Sequence, residues 1–337
     1  MEDTRRWKWG VNRWIVLALI VLNVIAVREF APILPHVQLP AEPITQQPLF
    51  TLPVIGNFYL TNTLVATLIA DVLLLLLGFS VWRAIRRGEM VLRGIGGMVE
   101  VAVEMLYDLT ESTAGRWART IFPWMATIVL LVLVVNWMEL LPGVDSIGFL
   151  HEVHGGGEGY PVRDVSVLGI PMQTIVKESA DTAAEGTQEA EYVLVPYVRV
   201  ASTDLNFTVG LALTSVFMVQ VFGVTSLGVS YFSKFFYVKT LFSKPFFGVI
   251  DFAVSLLELV SEFSKILSFS FRLFGNLFAG SVLLFVIGSL VPVFAQTIFL
   301  ALEFFVGLIQ AIVFGLLTMI FMSQATAGHG LEEEEHA

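Results

Sequence analysis

The chain has 337 residues, of which 56% are hydrophobic, with a formal net charge of −10 and no cysteine. That apolar share excludes an ordinary soluble domain and points to an integral membrane protein. The missing cysteines exclude disulfides, thiolate metal sites and cysteine nucleophiles, and the acidic balance gives no support to a nucleic-acid partner.

The N-terminus carries Arg5, Arg6, Lys8 and Arg13 ahead of an apolar run over 14–27. A signal peptide and a short retained span both fit this pattern. The poor small-x-small pattern around Ala26 favours the retained span. Six prolines (Pro32, Pro35, Pro40, Pro43, Pro48 and Pro53) follow and predict an extended connection outside the membrane. Residues 62–82 form a clear span, with Arg83, Arg86, Arg87 and Arg93 directly after it. Over 98–117, Glu100, Glu104, Asp108 and Glu111 recur at helical spacing among apolar residues, as in an amphipathic helix on the membrane surface. A second span runs over about 120–141 and ends Asn136-Trp-Met-Glu139-Leu-Leu-Pro142.

Residues 143–203 read as an enlarged, glycine- and acid-rich loop, with ten acidic and three basic residues from 145 to 204. Its His151-Glu152-Val-His154 is read as solvated loop, with no metal site assigned. A third span covers about 205–231, followed by Lys234, Lys239 and Lys244. Two long apolar stretches, 247–290 and 294–324, are separated by Pro292. The first is about twice the roughly 20 residues that a span needs. With no proline or glycine pair between Gly248 and Gly275, it reads as one inclined helix, paired with the second as a hairpin. The Lys/Arg bias puts both termini in the cytoplasm and the acidic loop outside. The expected fold is an all-α polytopic membrane protein of five or six transmembrane helices plus the surface helix. Its parts are 1–61 (anchor and outer connection), 62–324 (membrane domain) and 325–337 (acidic cytoplasmic tail).

Within the long helix, Glu258, Ser261, Lys265, Ser268, Arg272 and Asn276 recur at steps of three and four and share one face. An arginine at a helix centre costs about 2.5–3.5 kcal/mol on insertion scales, so it is kept for a partner or an ion path. Glu303, Gln310 and Gln324 are separated by multiples of seven and share a face of the last helix. If the two faces pack together, Arg272 meets Gln310 at mid-depth, with Glu258 on the inner side and Glu303 on the outer. This suggests two aqueous half-paths parted by a fixed positive charge, since arginine does not release its proton. Other readings of these groups are an i, i+3/i+4 network of Glu258, Glu262 and Lys265 with a purely structural use, and a clamp between Arg272 and Glu303. Individual serines read as packing residues.

The stretch Phe-Arg272-Leu-Phe-Gly-Asn276-Leu-Phe-Ala-Gly280 resembles the signature of subunit a of the F-type ATP synthase membrane sector. Asn136-Trp-Met-Glu139-Leu-Leu-Pro142, Asp204-Leu-Asn206-Phe-Thr208 and Gln310 are similar to further segments of that family, in the same order over 62–324. The resemblance implies a stator subunit with no bond chemistry and no cofactor of its own. It would pass protons at its interface with a rotating c-subunit ring, with b-type peripheral stalk subunits and the lipid bilayer as other partners. It implies that Arg272 attracts the ring carboxylate and separates the half-channels. Asn276, Gln310, Glu303, Glu139, Asp204 and Asn206 would line the outer half-channel, and Glu258, Ser261 and Glu262 the inner one. A bacterial plasma membrane is the expected location. The chain departs from the family pattern at Ser281, often acidic there, and at Glu303, histidine in some members, which reads as a carboxylate moved to the facing helix. An independent secondary transporter or channel is the alternative, and it would need its own substrate cavity.

Overall fold

In the computed structural model of the chain, the long apolar runs are helical. The structure describes residues 9–29, 40–45, 47–53, 56–88, 94–152, 160–167, 170–175, 192–235, 245–291 and 295–327. The helices are α1 (Trp9–Glu29), α2 (Asn62–Arg86), α3 (Ile95–Ala114), α4 (Ala118–Met138), α5 (Leu205–Leu227), α6 (Pro245–Leu290) and α7 (Ala295–Thr326). Among the described residues, five segments are long and apolar enough to cross a membrane: Asn62–Arg86, Gly96–Met138, Leu205–Leu227, Phe252–Leu290 and Ala295–Thr326. The apolar part of α1, Arg13–Ile25, is shorter than these. The chain is a helical, multi-pass membrane protein. His154, Lys239, Lys244, Pro292 and the acidic tail lie outside the described residues.

Helix ends follow from local chemistry. The Thr61 hydroxyl accepts from the Leu64 amide at 3.3 Å and caps α2. Gly115 takes φ 51°, a conformation that favours glycine, and opens the short 3-10 turn Gly115–Trp117 between α3 and α4. This turn divides the acidic amphipathic segment from the span. On α3, Leu106, Thr110 and Ala114 are buried, and Tyr107 meets the Phe122 ring edge-on at 5.1 Å. Its acidic row of Glu100, Glu104, Asp108 and Glu111 is exposed.

The 46 residues of α6 form a single helix, as the lack of breakers predicts. At about 1.5 Å per residue that is roughly 69 Å, over twice a ~30 Å hydrocarbon core. A helix of that length inclines in the bilayer or runs on beyond it.

The chain divides into two compact units. One comprises Leu39–Met138, Arg199–Leu277 and Val306–Ala337. Its core interleaves Ile121, Met125 and Val132 of α4, Val219 and Phe222 of α5, Leu273 and Leu277 of α6, and Phe314 and Met322 of α7. Small residues let helices approach: a Cβ on Gly315 would collide with Val129, and one on Gly307 would lie 3.1 Å from the Asn136 Cβ.

The other unit comprises Met1–Gln38, Glu139–Val198 and Phe278–Phe305. Here the acidic loop of residues 143–203 departs from expectation, because it contains antiparallel strands. β4 (Gly148–Glu152) pairs with β7 (Tyr192–Pro196), and β5 (Val162–Val167) with β6 (Ile170–Ile175); β3 covers Pro142–Asp145. The segments Val-Arg-Asp-Val-Ser-Val and Tyr-Val-Leu-Val-Pro are rich in β-branched residues, and that local preference prevails within the acidic composition. A further hairpin, β1 (Phe50–Leu52) with β2 (Gly56–Phe58), belongs to the first unit.

Candidate functional site

The burial pattern of α6 separates two stripes. Glu262, Phe269, Leu273 and Leu277 are buried, while Ser261, Ser264, Ser268, Arg272, Gly275 and Asn276 are exposed. The two sets lie on different sides of a 3.6-residue helix. Among the described residues, no hydrogen bond joins Arg272 to Gln310. The face of α6 packed on α7 is apolar, with Phe269 and Phe314 rings 5.2 Å apart, and Arg272 points away from it. Among the described residues, the one side-chain hydrogen bond of Arg272 is Nη2 donating to Ser268 Oγ at 3.3 Å on the same helix. Gln310 is half-buried.

Earlier on α6, Glu262 is buried and occupied. It accepts from Lys265 Nζ at 3.0 Å and from Gln220 Nε2 of α5 at 3.2 Å. The buried Tyr231 donates its hydroxyl to Gln220 Oε1 at 2.9 Å. The Lys265 ammonium also lies 4.7 Å from the Phe321 ring centroid. This matches the structural i, i+3 pairing for Glu262 and Lys265. Glu258, one turn earlier, is half-buried, and Ser261 is exposed.

Beyond the end of α4, the other unit gathers a carboxylate cluster. The turn after Met138 carries Glu139, whose two carboxylate oxygens are both buried without a hydrogen bond of good geometry. Burial raises its pKa from the usual carboxylate range to about 8, with Glu303 and Asp145 adding repulsion. The Ser281 hydroxyl lies near enough to draw it partly back. Glu303 is 7% exposed, and among the described residues its Oε2 has no hydrogen-bond partner. Its carboxylate packs on Gly280, where any Cβ would collide with it. Ser281, Glu303 and Glu139, which the sequence disperses over 164 positions from 139 to 303, thus form one cluster.

Asp204 belongs to the unit that holds α2 and α5. Its Oδ1 accepts from the Asn206 amide at 2.9 Å, capping α5, and its Oδ2 accepts from Thr63 Oγ1 at 3.0 Å. These bonds tie α5 to α2. Asn206 itself is exposed. Nearby, Asn136 donates to the Gly307 carbonyl at 3.1 Å and accepts from Ser202 Oγ at 2.6 Å, which joins α4, α7 and the turn before α5.

These motifs and spans coincide with a known family. Residues 64–323 match the family described as ATP synthase A chain. The chain belongs to that family. It is 32% identical over 235 residues to ATP synthase subunit a of Pseudoalteromonas atlantica, covering 68% of this chain and 75% of the relative. It is 24% identical over 275 residues to the subunit a of Moorella thermoacetica, covering 82% of this chain and 95% of that one. A third relative, ATP synthase subunit a of Psychromonas ingrahamii, is 28% identical over 255 residues, with 72% and 78% covered.

Membership gives the chain a place in the membrane sector of ATP synthase, with a part in ion transport and ATP synthesis. The A-chain match spans α2 to α7 and leaves out α1 and the β1–β2 hairpin. Three structural partners within it escape a reading of helix faces: Gln220, Tyr231 and Ser202. Gln220 alone left a trace, as an amide within the apolar run of α5. The bonds of Tyr231 and Ser202 depend on how separate segments dock, which spacing along one helix does not report.

Proposed function

We propose that this A chain translocates protons through two offset half-channels at its interface with a rotating c-subunit ring, and so couples a proton gradient to ATP synthesis. The observation that carries this is the orientation of Arg272. It lies on the exposed face of a membrane helix, among Ser261, Ser268 and Asn276, with a single hydrogen bond to its own helix. A guanidinium facing lipid is expensive, whereas facing a ring carboxylate it gains a charged partner. The small polar stripe around it lets another helix approach closely.

In this reading Arg272 attracts a ring carboxylate that has lost its proton. Being permanently charged, it also blocks proton passage between the half-channels. The outer path uses Glu139, Glu303 and Ser281, with Asn276, Gln310 and Asn206 along it. The inner path uses Glu258 and Ser261. Glu262 and Asp204, both engaged in structural bonds, act as supports of the two paths. The protein sits in a bacterial plasma membrane with both termini cytoplasmic, and contacts a b-type peripheral stalk.

Reconstitution tests this. Vesicles holding the chain together with a carboxylate-bearing ring conduct protons, and Arg272→Ala abolishes coupled transport. Equal proton flux through the chain alone would instead support an independent channel.

A further inference from the structure

The hairpin β1–β2 stands just before α2 and outside the family match. It is mounted firmly on the start of that helix. Asn62 donates its amide to the Glu42 carbonyl at 3.1 Å, and its Oδ1 accepts from the Glu42 amide at 3.2 Å. Ile44 donates to the Leu60 carbonyl and Leu49 to the Phe58 carbonyl, each at 2.8 Å. The register pairs Phe50 with Phe58 and Thr51 with Asn57. Directly opposed residues of an antiparallel pair share a face, and successive residues alternate. One face therefore carries the two phenylalanines, stacked with centroids 4.6 Å apart, and the other carries Thr51 and Asn57.

The aromatic face is uncovered. Phe50 is 49% exposed and Phe58 36%. An isolated two-stranded hairpin is marginally stable in water, so an exposed aromatic face on one calls for a cover. Two observations say which. Phe58 lies four residues before Asn62, so at about 3.3 Å per residue it is within roughly 13 Å of the helix start, close to the interfacial layer of a bilayer. In addition, residues 43–70 contain no charged side chain, and the apolar residues Leu68, Ile69 and Val72 of α2 are exposed as a lipid-facing surface would be.

We infer that the β1–β2 hairpin is a lipid-interface anchor: Phe50 and Phe58 insert among headgroups and upper acyl chains, while Thr51 and Asn57 face water. Aromatic rings favour that layer. The anchor fixes the depth and entry angle of α2.

The lack of native cysteine makes the test direct. Single cysteines replacing Phe50, Thr51, Asn57 or Phe58 in the full chain are labelled with a nitroxide. The chain is reconstituted in phosphatidylcholine–phosphatidylglycerol bilayers, and collision with oxygen is compared with collision with a water-soluble nickel chelate. The anchor predicts high oxygen and low chelate access at 50 and 58, and the reverse at 51 and 57. Phe50→Cys keeps the Phe58 ring and Phe58→Cys keeps the Phe50 ring, so each label reports with one ring of the face in place. Chelate access at 50 and 58 equal to that at 51 and 57 would overturn the inference by placing the face in water. Shielding of these positions from both reagents would overturn it by showing a protein cover, whether another subunit or a second copy.

Discussion

Arg272 lies on the exposed side of α6 and donates to Ser268, and the proposed role needs both its charge and its planar guanidinium. Arg272→Lys keeps a charge but loses the planar fork. It is expected to lose most coupled transport while assembling normally, as measured by ATP-driven proton pumping against subunit content. Glu139 offers a pH test. With its pKa raised to about 8 by burial and by neighbouring carboxylates, it is protonated below that pH and ionised above it. Infrared difference spectra should show a protonated carboxyl band at pH 6 that is lost by pH 10 and missing in Glu139→Gln. A band already lost at pH 6 would contradict the buried environment. Gly280→Ala should drive the Glu303 carboxylate out of its recess and lower proton transport. Combining it with Glu303→Asp, one methylene shorter, should recover part of the loss.

At the scale of elements, polar bonds fix how the helices dock. Asp204 distinguishes support from transport. Asp204→Ala removes the cap of α5 and the bond to Thr63, and should cost about 0.5–2 kcal/mol, read as a lower unfolding midpoint in detergent. Asp204→Asn keeps an acceptor and should retain both stability and transport; normal stability with no transport would give Asp204 a direct place in the path. Much at this scale was legible in the sequence. The spans follow from apolar run length, and the unbroken α6 from the absence of breakers. The pairing of Glu262 with Lys265 follows from their i, i+3 spacing. What stayed hidden depends on docking. Periodicity puts Arg272 and Glu258 on one side of α6, but not which side meets α7, and the apolar stripe of Phe269, Leu273 and Leu277 takes that contact. Strands β4 to β7 were hidden because they have five or six residues each, too few to show their alternation against an acidic, glycine-rich background.

At the scale of the whole molecule, the proposed function sets the polar face of α6 against a partner that another chain supplies. Its exposed serines, glycine and asparagine leave room for a neighbouring helix, and in the proposed function Arg272 meets a carboxylate there. The most direct measurement is passive and coupled proton flux in vesicles holding this chain, with and without a c-subunit ring, for the native residue and for Arg272→Ala. The account predicts negligible flux without the ring, coupled flux with it, and loss of coupled flux in the variant. Flux through the chain alone, or coupled flux that survives Arg272→Ala, would contradict it.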